Sequence, residues 1–302
     1  MEAVGTLCPR QPFSITMGAF LLHLITVIAM SVPTVLAYNL VFGKGKILHF
    51  GQLAFSIVGG YALWVTVGRY GYGIFPAFLF ALVVISVTSL LFAWLSLRLP
   101  ADAFGVLSIA VHLMVLAIVL NWQSVTRGAL GVPNLPRPFF ATTPAAFAIM
   151  SIAIAIAWTL LIWKIDSGRF GRSVAALSEH SWYAMSLGIE RGWVHTVLFL
   201  LAGIGALLVN FMYHSYLHLL SPSDFSFSAM IFYVMVVVAG APGSLWGSLI
   251  SLTLLTFLRE GIRFLPIPNS LTGPMELMLF GVILFVAVWY RRDSLFPKQR
   301  TV

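Results

Sequence analysis

Apolar residues gather into nine runs, at 17–42, 50–68, 74–97, 103–121, 145–164, 193–214, 226–240, 245–264 and 275–291, each closed by a polar or Gly/Pro-containing break. A helix needs about 20 apolar residues to cross a hydrocarbon layer. The runs therefore predict an all-α, polytopic transmembrane bundle of about nine spans. Two are weaker than the rest: Gly51, Gly59 and Gly60 interrupt the second, and the seventh is short. Short or broken helices are tolerated in a membrane where protein or a cavity covers the freed backbone. Pro33 predicts a kink in the first run. That run lacks a small-residue cleavage site after it and is read as a retained helix rather than a signal peptide.

Two stretches between the runs are long. Residues 122–144 carry Gly128, Gly131, Pro133, Pro136 and Pro138, which predicts an ordered, turn-rich loop. Residues 165–192 begin Asp166-Ser167-Gly168-Arg169-Phe170-Gly171-Arg172 and continue as a helical pattern. Val174, Leu177, Ser181, Ala184, Met185 and Gly188 share one side, with Glu179, His180, Ser186 and Glu190 dispersed about the rest. The stretch is too polar to span, and Gly188 is placed to terminate it. A helix of this kind lies on the membrane surface or docks into a partner.

Composition and charge sharpen this picture. Hydrophobic residues make up 60% of the 302-residue chain and charged residues only 9%, against about 25% charged in soluble domains. The net charge of +8 is not gathered into a nucleic-acid-binding patch. Basic residues instead follow the runs: Lys44 and Lys46; Arg98; Lys164, Arg169 and Arg172; Arg291, Arg292, Lys298 and Arg300. By the positive-inside rule these loops are cytoplasmic, which puts the N-terminus outside and the C-terminus inside. Arg10, Arg69, Arg127, Arg137 and Arg263 fall on the other side, so the bias is partial.

Catalytic chemistry finds little support. Gly43-Lys44-Gly45-Lys46 lacks the spacing of a phosphate-cradling loop, so the chain has no ATPase site of its own. The single cysteine, Cys8, allows neither an intrachain disulfide nor a cysteine-based metal site. His214 and His218 are four apart but have no carboxylate or Cys near them in sequence to complete a zinc site. Within the spans the ionisable residues are His112, read as a packing residue or a solute ligand, and Glu260, three residues from Arg263 and read as half of an intrahelical pair. Few buried carboxylates argue against proton-driven transport. Gly51, Gln52, Gly59 and Gly60 allow close helix approach or open carbonyls to a solute path. The aromatics, 14% of the chain, are expected at lipid-facing and interfacial positions, with Trp64, Trp122, Trp193 and Tyr290 near the boundaries.

Several stretches resemble the permeases of branched-chain amino acid importers of the ATP-binding-cassette class, specifically the second of their two permease types. They are Arg169-Phe170-Gly171-Arg172 with Ala176-Leu177, Glu179, Ala184 and Leu187-Gly188-Ile189; Asn39-Leu40 with Gly51-Gln52-Leu53-Ala54-Phe55 and Gly59-Gly60-Tyr61; Leu97-Arg98-Leu99 with Asp102, Phe104 and Asn121-Trp122; and Val238 through Gly247. The resemblance runs from about residue 35 to the C-terminus. It implies one permease domain over 1–302 in the cell inner membrane. Its cytoplasmic coupling segment would be 165–192, with Arg169, Gly171, Arg172, Leu177, Glu179, Ala184, Leu187, Gly188 and Ile189 facing an ATPase. A solute path would run past Gly51, Gln52, Gly59, Gly60 and His112. The implied partners are a second homologous permease, two cytoplasmic ATPases that bind the ATP and Mg, a soluble solute-binding protein outside, and membrane lipid. The implied solute is a branched-chain amino acid, urea, an amide or a related small polar molecule. Lys46, His49 and His112 replace small, amide and acidic residues usual in the family, on segments expected near the path. An ATPase-independent carrier or channel, and a non-transporting scaffold, are the competing readings.

Overall fold

The computed structural model describes residues 17–262 and 269–295. Cys8, Arg10, Arg263 with its pairing to Glu260, Lys298 and Arg300 lie outside the described residues. The helices are α1 (Met17–Tyr38, continued by a π-helical turn Asn39–Lys44), α2 (Gln52–Gly68), α3 (Ile74–Arg98), α4 (Ala101–Asn121), α5 (Gln123–Thr126), α6 (Pro144–Ser167), α7 (Arg169–Glu179), α8 (Ser181–Ser186), α9 (Arg191–Leu217), α10 (Phe227–Ala239), α11 (Leu245–Ile262) and α12 (Asn269–Leu295). Seven described helices or helix runs are long and apolar enough to cross a membrane; two shorter apolar helices, α2 and α10, coincide with the two weak runs. The chain is a polytopic transmembrane helical bundle, with nine apolar helical segments among the described residues.

Contacts define two ends. At one, strand β1 (Val132–Pro133) pairs antiparallel with β2 (Leu219–Leu220), and Val132 and Leu135 crowd Gly68 at the close of α2. At the other lie α7, α8 and the α10–α11 turn. The 122–144 loop is ordered as expected. Gly131, at φ +66, packs where a Cβ would fall 2.1 Å from the Leu220 carbonyl, and Arg137 donates to the Thr142 and Tyr216 carbonyls.

Periodicity explains the layering. On α3, Ala77, Ala81, Ile85, Ser89 and Phe92 are buried, while Phe75, Leu79, Val83, Val87 and Trp94 on the other side are exposed. The buried face packs on α2 and α9. Small residues let it come close: a Cβ on Gly203 of α9 would fall 2.3 Å from the Ser89 hydroxyl. Helix α2 is the central element, packed on α3, α4 and α9 and buried along most of its length. Trp64 corrects the expectation of an interfacial belt: it is fully buried, and its indole N–H donates to the Asn210 carbonyl at 3.1 Å. An indole satisfied by a backbone acceptor has no need of the interface. Trp122, Trp193 and Tyr290 are exposed as expected.

Helix α2 is short because the seven residues before it, 45–51, leave the helical path: after Gly45 the backbone turns at Lys46 (φ +49) and runs without regular structure from the end of the π-turn into the bundle. Their backbone is served by specific partners. Phe50 and Gly51 N–H groups both donate to the Ser108 hydroxyl (3.0 and 3.3 Å), and the Tyr38 hydroxyl donates to the His49 carbonyl at 2.7 Å. Gly51 sits so close to α4 that a Cβ would fall 2.2 Å from the Ser108 carbonyl. His49 is fully buried among Phe55, Phe92, Phe104 and Phe199, with ring centroids 5.3–5.9 Å away.

The α10–α11 connection is a type II turn, Ala241-Pro242-Gly243-Ser244, closed by Ser244 N–H to the Ala241 carbonyl at 2.8 Å, with Gly243 at φ +84. Behind it Gly240 and Gly247 touch, and a Cβ on Gly247 would fall 1.7 Å from the Gly240 carbonyl. Gly247→Ala is therefore expected to lower stability in detergent by about 1–3 kcal/mol, measured by thermal or denaturant unfolding. Gly261→Ala, on the same helix with nothing within 4 Å, should change it by about 0.5 kcal/mol or less.

Candidate functional site

Two features stand at opposite ends of the bundle. The first is a cavity of about 580 Å³ in the half nearer the β-ribbon. Its walls come from α1, α9, the 221–226 turn, α10, α11 and α12, and it reaches Leu53 and Ser56 on α2. Charges of both signs line it: Asp224, Arg259 and Glu260, with His23, His214, Asn210 and a set of serines. Asp224 is placed by a capping box in which Ser221 and Asp224 serve each other's backbone N–H groups. The carboxylate also lies 3.6 Å from Nε2 of His214, whose Nδ1 sits 3.1 Å from the Asn210 carbonyl. Arg259 stacks over Phe232 at 5.5 Å, and Glu260 is 8% exposed. His23 is held by the Tyr216 hydroxyl at 2.8 Å. Such a chamber can bind a small polar solute, because buried donors and acceptors of both signs can replace its hydration shell.

The residues singled out in sequence on the helix signature take other places. Gly51 abuts Ser108, Gly59 abuts Ile85, and Gly60 abuts the Asn210 side chain, where a Cβ would fall 2.2, 2.7 and 2.3 Å from the nearest atom. The glycines thus serve close helix approach. Gln52 Nε2 donates to the Ala202 carbonyl at 3.1 Å, while its Oε1 is buried without a hydrogen-bond partner. His112 is buried on α4 beside the Phe225 backbone. None of these five lines the large cavity; Gly60 and His112 lie against its lining residues Asn210 and Phe225, and the other three pack elsewhere in the bundle. His214 and His218 diverge: His218 Nδ1 meets the Leu135 carbonyl at 2.7 Å. Among the described residues no three His, Cys, Asp or Glu side chains gather as a metal site.

The second feature is the α7–α8 segment. The single amphipathic helix expected there is two helices, broken at His180 (φ −144°, ψ 85°). Gly188, at φ +84, ends α8 as expected, with Gly188 and Ile189 N–H groups returning to the Met185 and Ala184 carbonyls. The apolar side is also divided. Val174 and Ala184 are 1% and 3% exposed, Leu177, Phe170 and Ile189 pack on the core, and the chain itself covers that side. Helical spacing identifies an apolar side but not what covers it. What projects outward is Trp182, Tyr183, Met185 and Leu187, at 77%, 68%, 41% and 82% exposure, beside exposed Arg169, Arg172 and Glu179.

The segment is fixed to the bundle at its start. Gly171 packs so tightly on the close of α6 that a Cβ would fall 1.9 Å from the Asp166 carbonyl. The Lys44 ammonium, from the π-turn, donates to that carbonyl at 2.9 Å and pairs with the Asp166 carboxylate. Five residues earlier, Asn39 Oδ1 accepts from Gly243 N–H at 2.9 Å. One turn of π-helix thus holds both the α6–α7 corner and the α10–α11 turn. The sequence offered Lys44 only as a topology-setting charge; its partner lies 122 residues away.

Lys44→Ala and Asp166→Ala are each expected to destabilise the protein, with a non-additivity of about 0.5–3 kcal/mol in the double mutant. The cycle is measured by unfolding at low and high salt, and the coupling should shrink with salt because both side chains are partly exposed.

A family model described as branched-chain amino acid transport system / permease component matches residues 20–288. No curated protein and no solved structure matches the chain.

Proposed function

The chain belongs to the branched-chain amino acid transport permease family, and from that premise we propose that it is the membrane-spanning subunit of an ATP-driven importer. One observation carries the reading. A solute-sized chamber opens at one end of the bundle, and an anchored segment with outward apolar and aromatic side chains stands at the other. An importer powered by a separate ATPase needs both, joined by a frame that moves as a unit.

In this reading the chain is one permease domain, and the α7–α8 end is cytoplasmic in the cell inner membrane. Trp182, Tyr183, Met185 and Leu187 enter a groove on an ATPase, with Glu179, Arg169 and Arg172 setting register by charge. Burying four such side chains supplies the apolar driving force. ATP and Mg are bound by two ATPase subunits, and closure of those subunits moves α7 together with α6 and the π-turn. A second permease completes the membrane assembly. A soluble binding protein delivers the solute to the β-ribbon end, which faces outside.

The solute is a branched-chain amino acid or a similar small polar molecule. An amino acid presents a carboxylate and an ammonium, and the chamber offers Arg259 to the first and Asp224 or Glu260 to the second. The apolar side chain would lie against Phe225, Phe232 and Leu277.

Glu179→Arg and the pair Trp182→Ala with Leu187→Ala should leave membrane insertion intact and reduce ATPase co-purification about tenfold or more. Co-purification and ATP-dependent uptake in proteoliposomes measure both. Uptake by the purified chain alone, without ATP, would overturn the reading in favour of a carrier. In intact cells, a cysteine at Ser173 should resist an impermeant thiol reagent and a cysteine at Phe139, 90% exposed in the 122–144 loop, should react; the reverse pattern would invert the assigned orientation.

A further inference from the structure

We propose that a second cavity, between α7 and the bundle, binds a phosphate-type anion. It holds about 210 Å³. Four parts of the chain meet around it: the irregular segment 45–48, the α3–α4 corner, α7 with the start of α8, and the first turns of α9.

Its charge is one-sided. The titratable side chains in its walls are Lys46, Arg191 and His195, and no Asp or Glu lines it. Of the acidic residues close in sequence, Asp102 stands in the first turn of α4 and Glu190 at the start of α9; these two and Glu179 are exposed, and none lines the cavity. Among the described residues neither Lys46 nor Arg191 makes an ion pair. His195 is held in one tautomer. Ser96 gives its hydroxyl hydrogen to the Ala93 carbonyl and so accepts from His195 Nδ1–H at 2.7 Å, while Arg191 Nε lies 3.5 Å from Nε2. The imidazole thus steadies the guanidinium and adds no acidic counter-charge. Ser178 and Ser181 bring further hydroxyls to the rim.

Two long helices also begin here. Ala101 and Phe104 of α4, and Arg191 and Val194 of α9, line the cavity, and neither helix has a side-chain cap. Uncapped first-turn N–H groups and the positive end of the helix dipole favour an oxyanion. Two cations, two helix N-termini and the absence of lining carboxylates therefore favour the same ligand. Lys46 stands ready at φ +49, a left-handed backbone uncommon for a side-chain-bearing residue and found at functional positions. Inorganic phosphate and the headgroup of an anionic phospholipid share the required tetrahedral oxyanion. Either would tie α7 to α4 and α9. The proposal does not depend on the importer reading.

The full-length chain is purified into phosphatidylcholine nanodiscs and its melting temperature followed as inorganic phosphate replaces chloride at constant ionic strength. A parallel sample uses phosphatidylglycerol nanodiscs without phosphate. Phosphate should raise the melting temperature saturably, and Lys46→Gln and Arg191→Gln should each weaken half-saturation about tenfold. Lys164→Gln, a basic residue at the same end that does not line the cavity, should respond as wild type. Stabilisation by phosphatidylglycerol alone, lost in both variants, identifies the lipid headgroup as the occupant and supports the site. If Arg191→Gln does not fold, Lys46→Gln carries the test, because its side chain is exposed. The proposal fails if neither probe stabilises the wild type, or if the folded variants respond as the wild type does.

Discussion

A peptide group without a hydrogen-bond partner is costly in hydrocarbon, and between the π-turn and α2 this bundle carries seven residues, 45–51, outside any helix, of which only Gly45 and Ile47 N–H groups return to the π-turn and only the Gly51 carbonyl accepts from α2. Much of the architecture follows from covering them. Ser108 bends its hydroxyl to two N–H groups, Tyr38 gives its proton to a carbonyl, and five aromatic rings close around His49. Gly51 has no side chain because the Ser108 backbone occupies that space. The interruption also makes α2 too short to span by itself, so it is enclosed by α3, α4 and α9 rather than by lipid. A continuous helix here would need none of these devices.

The same region connects the ends of the molecule. The π-turn precedes the irregular segment 45–51, and its Asn39 and Lys44 grip two corners that are distant in sequence. The segment itself forms a wall of the small basic cavity, while α2, which it introduces, sends Leu53 and Ser56 to the large one. Displacement of α7 therefore acts on α6, the π-turn and the α10–α11 turn through short polar contacts rather than through loosely packed loops.

The bundle was legible in sequence because lipid leaves so little freedom: nine apolar runs became nine apolar helical segments, and the two marked by glycines or by length became the two short helices. The ordered loop at 122–144 and the Gly188 stop were likewise written in their turn residues. The break at His180 was not, since no Gly or Pro marks it. Trp64 was misplaced because hydropathy cannot see the Asn210 carbonyl that satisfies its ring. The large cavity was hidden for a different reason. Its polar residues are spread over five helices and the 221–226 turn, from His23 to Glu260, and no local pattern joins them. The glycines of α2 stood out as motifs, and the packing distances at Gly59 and Gly60 account for why no larger residue stands there.

The π-helical turn has a consequence for how this chain tolerates insertions and deletions. Gly45 N–H reaches back five residues to the Leu40 carbonyl at 2.9 Å, so the turn contains one residue more than an α-helical turn would use. Removing a single residue between Asn39 and Lys44 would restore α-helical bonding and improve the local geometry. It would also rotate everything after the deletion by about 100° around the axis. Asn39 would still face Gly243 while Lys44 turned away from Asp166, and the segment that follows would leave the helix in a different direction. The extra residue thus acts as a fixed angular offset, and a change that straightens the helix separates the two corners it joins.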